Sequence, residues 1–293
     1  MTSEKTNYGV DTKLAAIIGN PVAQSLSPVI HNAVFHAMNL NWMYLAFRVE
    51  SPKLRNALEA MSALGISGFS VTMPHKNKVA EIIAEIGEVD SVVAKTKSAN
   101  TVILRDDQTL FATNTDGDGC CNAIEANTTQ LIKDSRVVVL GAGGTASAVV
   151  HSLIARGALE VVVVNRTPER ANTLVQSVGN HCRVALPSDL ANEVEQAAIV
   201  INTTPVGFDP HGSSRASANE SPIDVRLLTS RHVVLDAVYR PLMTPLLVGA
   251  KNNGAQIVDG LEMLVHQAAL QQQLWLGRAG NTVLMREAAL ASL

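Results

Sequence analysis

Little in this chain invites a metal, a membrane or a nucleic acid. Among 293 residues there are only three cysteines, Cys120, Cys121 and Cys182. They form no C-x-x-C pair, and neighbours in sequence such as the first two rarely bridge each other, so buried thiols are the reading that fits. The eight histidines show no H-E-x-x-H or comparable ligand spacing, and no metal is expected. Charge of one sign is also missing: a formal net charge of −3 leaves no basic field for nucleic acid. No apolar run reaches the roughly 18 residues that a membrane span needs. The first dozen residues lack the apolar centre of a signal peptide, so a cytoplasmic location is expected.

What is present is core-forming sequence, 47% hydrophobic, arranged in two blocks. The first alternates strand and helix: "KLAAIIG" as strand, a helix over 28–39, "WMYLAFRV" as strand, a helix over 52–64, then "GISGFSVT" as strand. Such alternation predicts a mainly parallel sheet covered by helices. Two short strands flanking the turn at Asp106 and Asp107 then read as a hairpin, leading to a loop at "NTDGDG". At Arg136 the pattern restarts with five strands, at "RVVVL", "LEVVVV", "AAIVIN", "HVVLDAVY" and "AQIVDG". Beyond Gly260 the chain is helical nearly to its end. The expected architecture is α/β in two domains, 1–117 completed by the C-terminal helices of 260–293, and 118–259, side by side with a cleft between them. The polar stretch "DPHGSSRASANESP" reads as a mobile loop.

In "VVVLGAGGTASAVV", Gly141, Gly143 and Ala146 form a G-x-G-x-x-A pattern straight after a strand and at the start of a helix. The first glycine allows a tight turn, the second lets backbone approach a pyrophosphate, and the small third residue allows close packing of helix on strand. The helix N-terminus then receives the phosphates, so Ala142, Gly144 and Thr145 join the candidate dinucleotide site. At the end of the next strand, where a carboxylate would hold an NAD ribose, stand Asn165, Arg166 and Thr167, with Arg170 one turn on. Guanidinium groups can grip a 2′-phosphate, and NADP is favoured over NAD. Thr167 and Pro168 also suit a helix cap and first position, which is compatible with that role.

A question of charge remains in "SVTMPHKNKVAEII". After a β-branched strand over 66–72, Pro74 is placed to open a helix, so Lys76 falls in its first turn. The positive end of the helix dipole opposes an ammonium there by about 0.3 to 1 kcal/mol. A solvated lysine beside Lys78 is the bland alternative.

In order along the chain, "GNPVAQSLSPVIHNAVF", "GFSVTMPHK", "SANTV", "NTDGDG", "GAGGTASA", "NRTPERA", "INTTPVG", "DAVYRPLMTPLL" and "GLEMLVHQ" resemble the motifs of the shikimate dehydrogenases, from about Gly19 to Gly277. The resemblance implies NADP-linked, reversible reduction of 3-dehydroshikimate to shikimate, on the route to aromatic amino acids. It implies a substrate domain at the N-terminus, a Rossmann domain for NADP, a small-molecule substrate as partner, and a monomer or homodimer. Lys76 and Asp116 match the family's catalytic pair, which answers the question of charge: an ammonium beside the reacting oxygen can give or take its proton, with the carboxylate orienting it. Ser25 and Ser27 match the residues that hold the substrate carboxylate. Two hydroxyls two apart on an extended segment point the same way, and a helix start after them favours an anion, although one serine could simply cap that helix. Thr72, Asn100 and Gln267 match ring-hydroxyl ligands and Tyr239 a residue near the substrate. The same resemblance places Thr203, Thr204, Pro205, Val238 and Gly260 at the dinucleotide. "NTDGDGC" lacks the bidentate glutamate of a calcium loop. Ser70 stands where many members carry Asn, and Phe208 where a Met is common. A quinate/shikimate dehydrogenase using NAD(P) and a non-catalytic dinucleotide-sensing protein are the rival readings.

Overall fold

The structure, a computed structural model, describes residues 8–209 and 220–293. It divides into two compact units, unit 1 from Met1–Thr115 with Ala268–Leu293 and unit 2 from Asp116–Gln267. Residues 210–219, most of the stretch read as a mobile loop, lie outside the described residues.

Unit 1 is built on a six-stranded sheet. In chain order come β1 (Lys13–Gly19), α1 (Ser27–Ala37), β2 (Trp42–Arg48), α2 (Leu54–Ala63), β3 (Ile66–Val71), α3 (Lys76–Ile86), β4 (Glu88–Val89), α4 (Ser91–Thr96), β5 (Thr101–Leu104) and β6 (Leu110–Thr113). The sheet order is β2-β1-β3-β5-β6-β4. β1 pairs in parallel with β2 and β3, while β5 and β6 form the expected antiparallel hairpin. Side chains of β1 alternate between the faces: Ala16 and Ile18 join the core under α2 and α3, Ala15 and Ile17 the core with Phe35, Trp42 and Tyr44. Each large apolar side chain, such as Ile17 or Ile18, removed from water in this way contributes about 1.5 to 3 kcal/mol, and burial on both faces explains why the strand reads as a continuous apolar run. Pro52 and Lys53, expected to begin a helix, belong instead to a separate 3₁₀ turn, Ser51–Lys53, before α2.

In unit 2, α5 (Asp116–Asn127), β7 (Arg136–Leu140), α6 (Gly144–Ala155), β8 (Glu160–Val164), α7 (Pro168–Val178), β9 (Cys182–Ala185), α8 (Leu190–Gln196), β10 (Ile199–Asn202), β11 (Val233–Asp236), α9 (Pro245–Asn252) and β12 (Gln256–Val258) follow one another. The strands lie in the order β12-β11-β10-β7-β8-β9, all parallel. This is the doubly wound Rossmann order, with its reversal between β7 and β10. Six strands stand where five were expected: β9 is a short edge strand whose residues are half-buried except Ala185, so it carries no apolar run to announce it. In β7, Val137 and Val139 face one core, Val138 and Leu140 the other.

The loop expected at "NTDGDG" is instead the start of α5, which Asp116 opens. Its glycines are sites of close approach. A Cβ on Gly117 would strike the Ala148 carbonyl of α6, and one on Gly119 would lie 2.6–2.8 Å from the backbone and Cβ of Gln267. Gln267 lies in α10 (Gly260–Leu276), the long helix that the division into units crosses, and α11 (Thr282–Leu290) follows it. α11 packs against α1. Cys120 and Cys121 are buried and Cys182 half-buried, and burial pushes the Cys121 and Cys182 thiols up to about 12. Among the described residues no helix is long and apolar enough to cross a membrane, and no group of three or more His, Cys, Asp or Glu could hold a metal ion.

Candidate functional site

The unit 2 residues gather where the strand order reverses. Gly141 leaves β7 with φ of 111°, a conformation open to glycine at little cost. A Cβ there would lie 2.6 Å from the Thr203 hydroxyl, while Thr203 itself donates to the Leu140 carbonyl through its N–H at 2.9 Å and its hydroxyl at 2.7 Å. Gly143 is the N-cap of α6 and is exposed; a Cβ on it would meet no atom within 4 Å. Ala146 is fully buried in the core. Ala142, Gly144 and Thr145 are half-buried around the helix start. Of the three small residues, one turns, one leaves open space before a helix start and one packs.

At the end of β8, Asn165 donates to the Thr167 carbonyl at 2.8 Å. Thr167 takes the N-cap position of α7 and Pro168 follows, but the threonine hydroxyl makes no capping bond. Arg166 and Arg170 are exposed. An open approach at Gly143, a helix start without a side-chain cap and two exposed guanidinium groups fit a dinucleotide carrying a 2′-phosphate.

Beneath the loops that follow β10 and β11 lies a buried acid that the sequence reading did not single out. Asp236 accepts from Asn202 Nδ2 at 2.8 Å, Thr244 Oγ1 at 2.7 Å and the Val238 N–H at 3.1 Å. Asn202 Oδ1 in turn accepts from the Thr204 N–H at 3.0 Å and its hydroxyl at 2.7 Å. One carboxylate thus holds Thr204 and Val238 in place. Burial raises its pKa to about 6, against the pull of its three donors. Pro205 is exposed, Val238 buried and Tyr239 half-buried, and burial raises the Tyr239 phenol. At Gly260 a Cβ would lie 2.6 Å from the Ala237 carbonyl oxygen, so glycine lets α10 start against this loop. Asp116 is buried at the start of α5, where a carboxylate is favoured. Gln267 is also buried and its amide donates to Leu264 O at 2.9 Å.

In unit 1, a turn closed by the His75 N–H on the Thr72 carbonyl at 3.0 Å holds Pro74. The helix therefore starts after the proline and not on it: Lys76 is the first residue of α3 and His75 its N-cap. His75 is buried and its Nε2 donates to the Val49 carbonyl at 2.7 Å. Lys76 is half-buried, whereas Lys78 is exposed and pairs with Glu81 at 2.6 Å. The two lysines of the first turn therefore differ in exposure. Thr72 is half-buried, with its methyl where a Cβ on Gly19 would otherwise go.

Ser25 and Ser27 do not lie on an extended segment. Leu26 between them has helical φ and ψ and is the N-cap of α1, with Ser27 already inside the helix. Ser25 Oγ accepts the Ser27 N–H at 3.2 Å, because a serine just before a helix is the nearest partner for its open donors. Ser27 is buried and its hydroxyl bonds the Tyr44 phenol. Asn100 is buried too: its Oδ1 accepts from Thr101 Oγ1 at 2.7 Å and the Thr115 N–H at 2.8 Å. Ser70 neither faces solvent nor lacks company, accepting from Tyr44 Oη at 2.6 Å and donating to Gln271 Oε1 at 2.7 Å. Tyr44 and Gln271 were not singled out from sequence. The one hint was the run of three glutamines in the second half of α10, among apolar neighbours.

Three family models match the chain: the shikimate dehydrogenase substrate binding domain over residues 17–102, shikimate / quinate 5-dehydrogenase over 124–206, and the shikimate 5′-dehydrogenase C-terminal domain over 260–290. The chain is 36% identical over 286 residues to the shikimate dehydrogenase (NADP(+)) of Bacillus mycoides, covering 96% of this chain and 99% of the other. Among solved structures it is similar to a shikimate dehydrogenase in complex with NADP+, with a TM-score of 0.87, 32% identity and coverage of 98% and 97%. It is also similar to shikimate 5-dehydrogenase from Thermus thermophilus in complex with NADP(H) and shikimate, with a TM-score of 0.84, 31% identity and coverage of 96% and 100%.

Proposed function

The chain belongs to the shikimate dehydrogenase family, and from that premise we propose that it interconverts 3-dehydroshikimate and shikimate in the cytoplasm with Lys76 and Asp116 as its acid–base pair. It is an NADP-dependent oxidoreductase. Substrate is assigned to residues 1–117 and 260–293, the dinucleotide to 118–259. The observation that carries the reading is the contrast within α3, where Lys76 opens the helix half-buried while Lys78 is exposed and paired.

NADPH, when bound, supplies the hydride that reduces the ketone carbon. As that carbon gains the hydride, the carbonyl π pair moves onto oxygen, and the Lys76 ammonium gives it a proton; in the reverse direction the amine takes the hydroxyl proton. Asp116 orients the ammonium. Ser25 and Ser27 hold the substrate carboxylate, and the proton that Ser27 shares with Tyr44 turns to the stronger, anionic acceptor. Thr72, Asn100 and Gln267 take the ring hydroxyls, and Tyr239 lies near the substrate. Gly141 to Ala146, Thr203, Thr204, Pro205, Val238 and Gly260 line the dinucleotide, with Asn165, Arg166, Thr167 and Arg170 at its 2′-phosphate.

Reduced-nicotinamide absorbance, followed with shikimate and with quinate, each with NADP and with NAD, tests this. Turnover with shikimate and NADP is the expected result. Preference for quinate, a substrate class that also appears in the name of the middle family model, would replace the substrate. Silence in all four combinations would leave only dinucleotide binding.

A further inference from the structure

Between two proposed substrate ligands of unit 1 runs a file of side chains that the reaction itself does not use. Tyr44 Oη reaches Ser70 Oγ at 2.6 Å, Ser70 Oγ reaches Gln271 Oε1 at 2.7 Å, Gln271 Nε2 reaches Thr101 Oγ1 at 3.0 Å, and Thr101 Oγ1 reaches Asn100 Oδ1 at 2.7 Å. Every member is at most 4% exposed, so no water competes for these bonds. The far end of the file touches Ser27, whose hydroxyl bonds the Tyr44 phenol.

The direction of each bond follows from chemistry. An amide oxygen only accepts, so Ser70 must donate to Gln271, and its oxygen is left to accept the single proton of Tyr44. An amide nitrogen only donates, so Thr101 accepts from Gln271 and sends its own proton to Asn100. Gln271 cannot turn over at little cost, because its Nε2 also lies 3.5 Å from the Asn100 carbonyl oxygen, which could not accept from Oε1. Asn100 Oδ1 therefore receives Thr101 Oγ1 and the Thr115 N–H, with the Thr115 hydroxyl farther off at 3.3 Å, and both its lone pairs are taken. Its Nδ2 donates to Thr115 Oγ1 at 3.0 Å. The Asn100 oxygen is thus committed within the protein, and it is through the amide nitrogen that this residue can meet a ligand.

We propose that Tyr44, Ser70, Gln271 and Thr101 are positioning residues that fix the amide of Asn100 with its nitrogen toward the substrate, and so set which oxygen of the ring the enzyme accepts there. This rests on the assignment of Asn100 as a substrate ligand. It gives a physical account of serine at position 70: a short hydroxyl bridges Tyr44 and Gln271, with one lone pair for the first and one proton for the second. A carboxamide there would have to replace both at once in a space sized for a hydroxyl.

The test uses Thr101→Val, Thr101→Ser and Gln271→Leu with shikimate and with analogues that each lack one ring hydroxyl. Thr101→Val should raise KM for shikimate about five- to tenfold, the loss of one buried neutral hydrogen bond, with kcat and KM for NADP little changed, and Thr101→Ser should restore it. The penalty that the parent enzyme shows for the analogue lacking the hydroxyl opposite Asn100 should shrink in both Thr101→Val and Gln271→Leu. A folded Thr101→Val enzyme with unchanged KM, or with all analogues weakened in equal proportion, overturns the proposal; so does a loss of thermal stability with no shift in substrate preference. Asn100→Leu separates the two levels of inference. If it leaves KM for shikimate unchanged, the site assignment fails; if it raises KM while Thr101→Val does not, only the file fails. Should Gln271→Leu not fold, the Thr101 pair decides alone.

Discussion

At the end of β7, Gly141 turns with φ of 111° beneath Thr203, and Gly143 leaves open space before α6. In unit 1, by contrast, Ser70, Gln271, Thr101 and Asn100 fill their space and bond one another. Under the proposed assignment, one region receives its ligand where side chains are lacking and backbone is exposed. The other receives it through side chains whose hydrogen bonds to one another fix their orientation. The first kind of site tolerates little added volume, while the second tolerates little change of polarity at constant volume.

The largest effect expected is on chemistry. Lys76→Ala should lower kcat by about 10²- to 10⁴-fold, the usual contribution of a positioned proton donor, with the dinucleotide affinity little altered; steady-state rates at saturating NADP check it. Asp236 tests whether unit 2 also contains a site of the side-chain kind. Its native pKa of about 6 lies above the ordinary carboxyl value, so the folded state holds the proton more tightly than the unfolded chain. Its contribution to stability is then complete below about pH 4 and is lost as pH rises through 6, by roughly 3 kcal/mol in all. Denaturant melts of the parent and Asp236→Asn should show the parent losing ground to the variant between those pH values. A constant gap would remove the buried acid from the account.

Arg166→Ala should weaken NADP about 10- to 100-fold, the range for a hydrogen bond to a charged group, and leave NAD nearly untouched. Equal losses for both nucleotides would count against a 2′-phosphate contact. Gly141→Ala sharpens the contrast in kind: with positive φ and a Cβ 2.6 Å from the Thr203 hydroxyl, it should cost about 1 to 2 kcal/mol in thermal unfolding. Gly143→Ala, with open space around it, should leave stability nearly intact and act on KM for NADP. The smallest effect belongs to Lys78→Ala, an exposed lysine whose pair with Glu81 should contribute less than about 0.5 kcal/mol and nothing to turnover. A large loss of rate there would erase the distinction drawn within α3.

How much of this could be read beforehand differs between the two regions for the same reason that they differ physically. Gly141, Gly143 and Ala146 were legible because backbone conformation and close packing restrict residue type locally, within one short turn and the helix start that follows it. The valines of β7 and β8 were legible because both faces are buried. β9 was not, being a half-buried edge strand, and "NTDGDG" reads as a loop because its glycines are poor helix formers; only the facing surfaces of α6 and α10 explain them. The turn between Ser25 and Ser27 escaped because local bonds of serine to backbone override the extended reading. Ser70 and Gln271 stand 201 positions apart in sequence, and no local pattern announces their bond.

That separation also bears on synthesis. Gly68 of β3 lies against the indole of Trp275, and α1 packs on α11, so the sheet of unit 1 emerges from the ribosome long before α10 and α11 exist. At about 5 to 20 residues per second, the early strands wait many seconds for them. The intervening nucleotide-binding sheet, contiguous in sequence, has all its strands as soon as β12 appears. A chain truncated after Gln267 and released should therefore resist protease over its second unit while residues of the first are still cut.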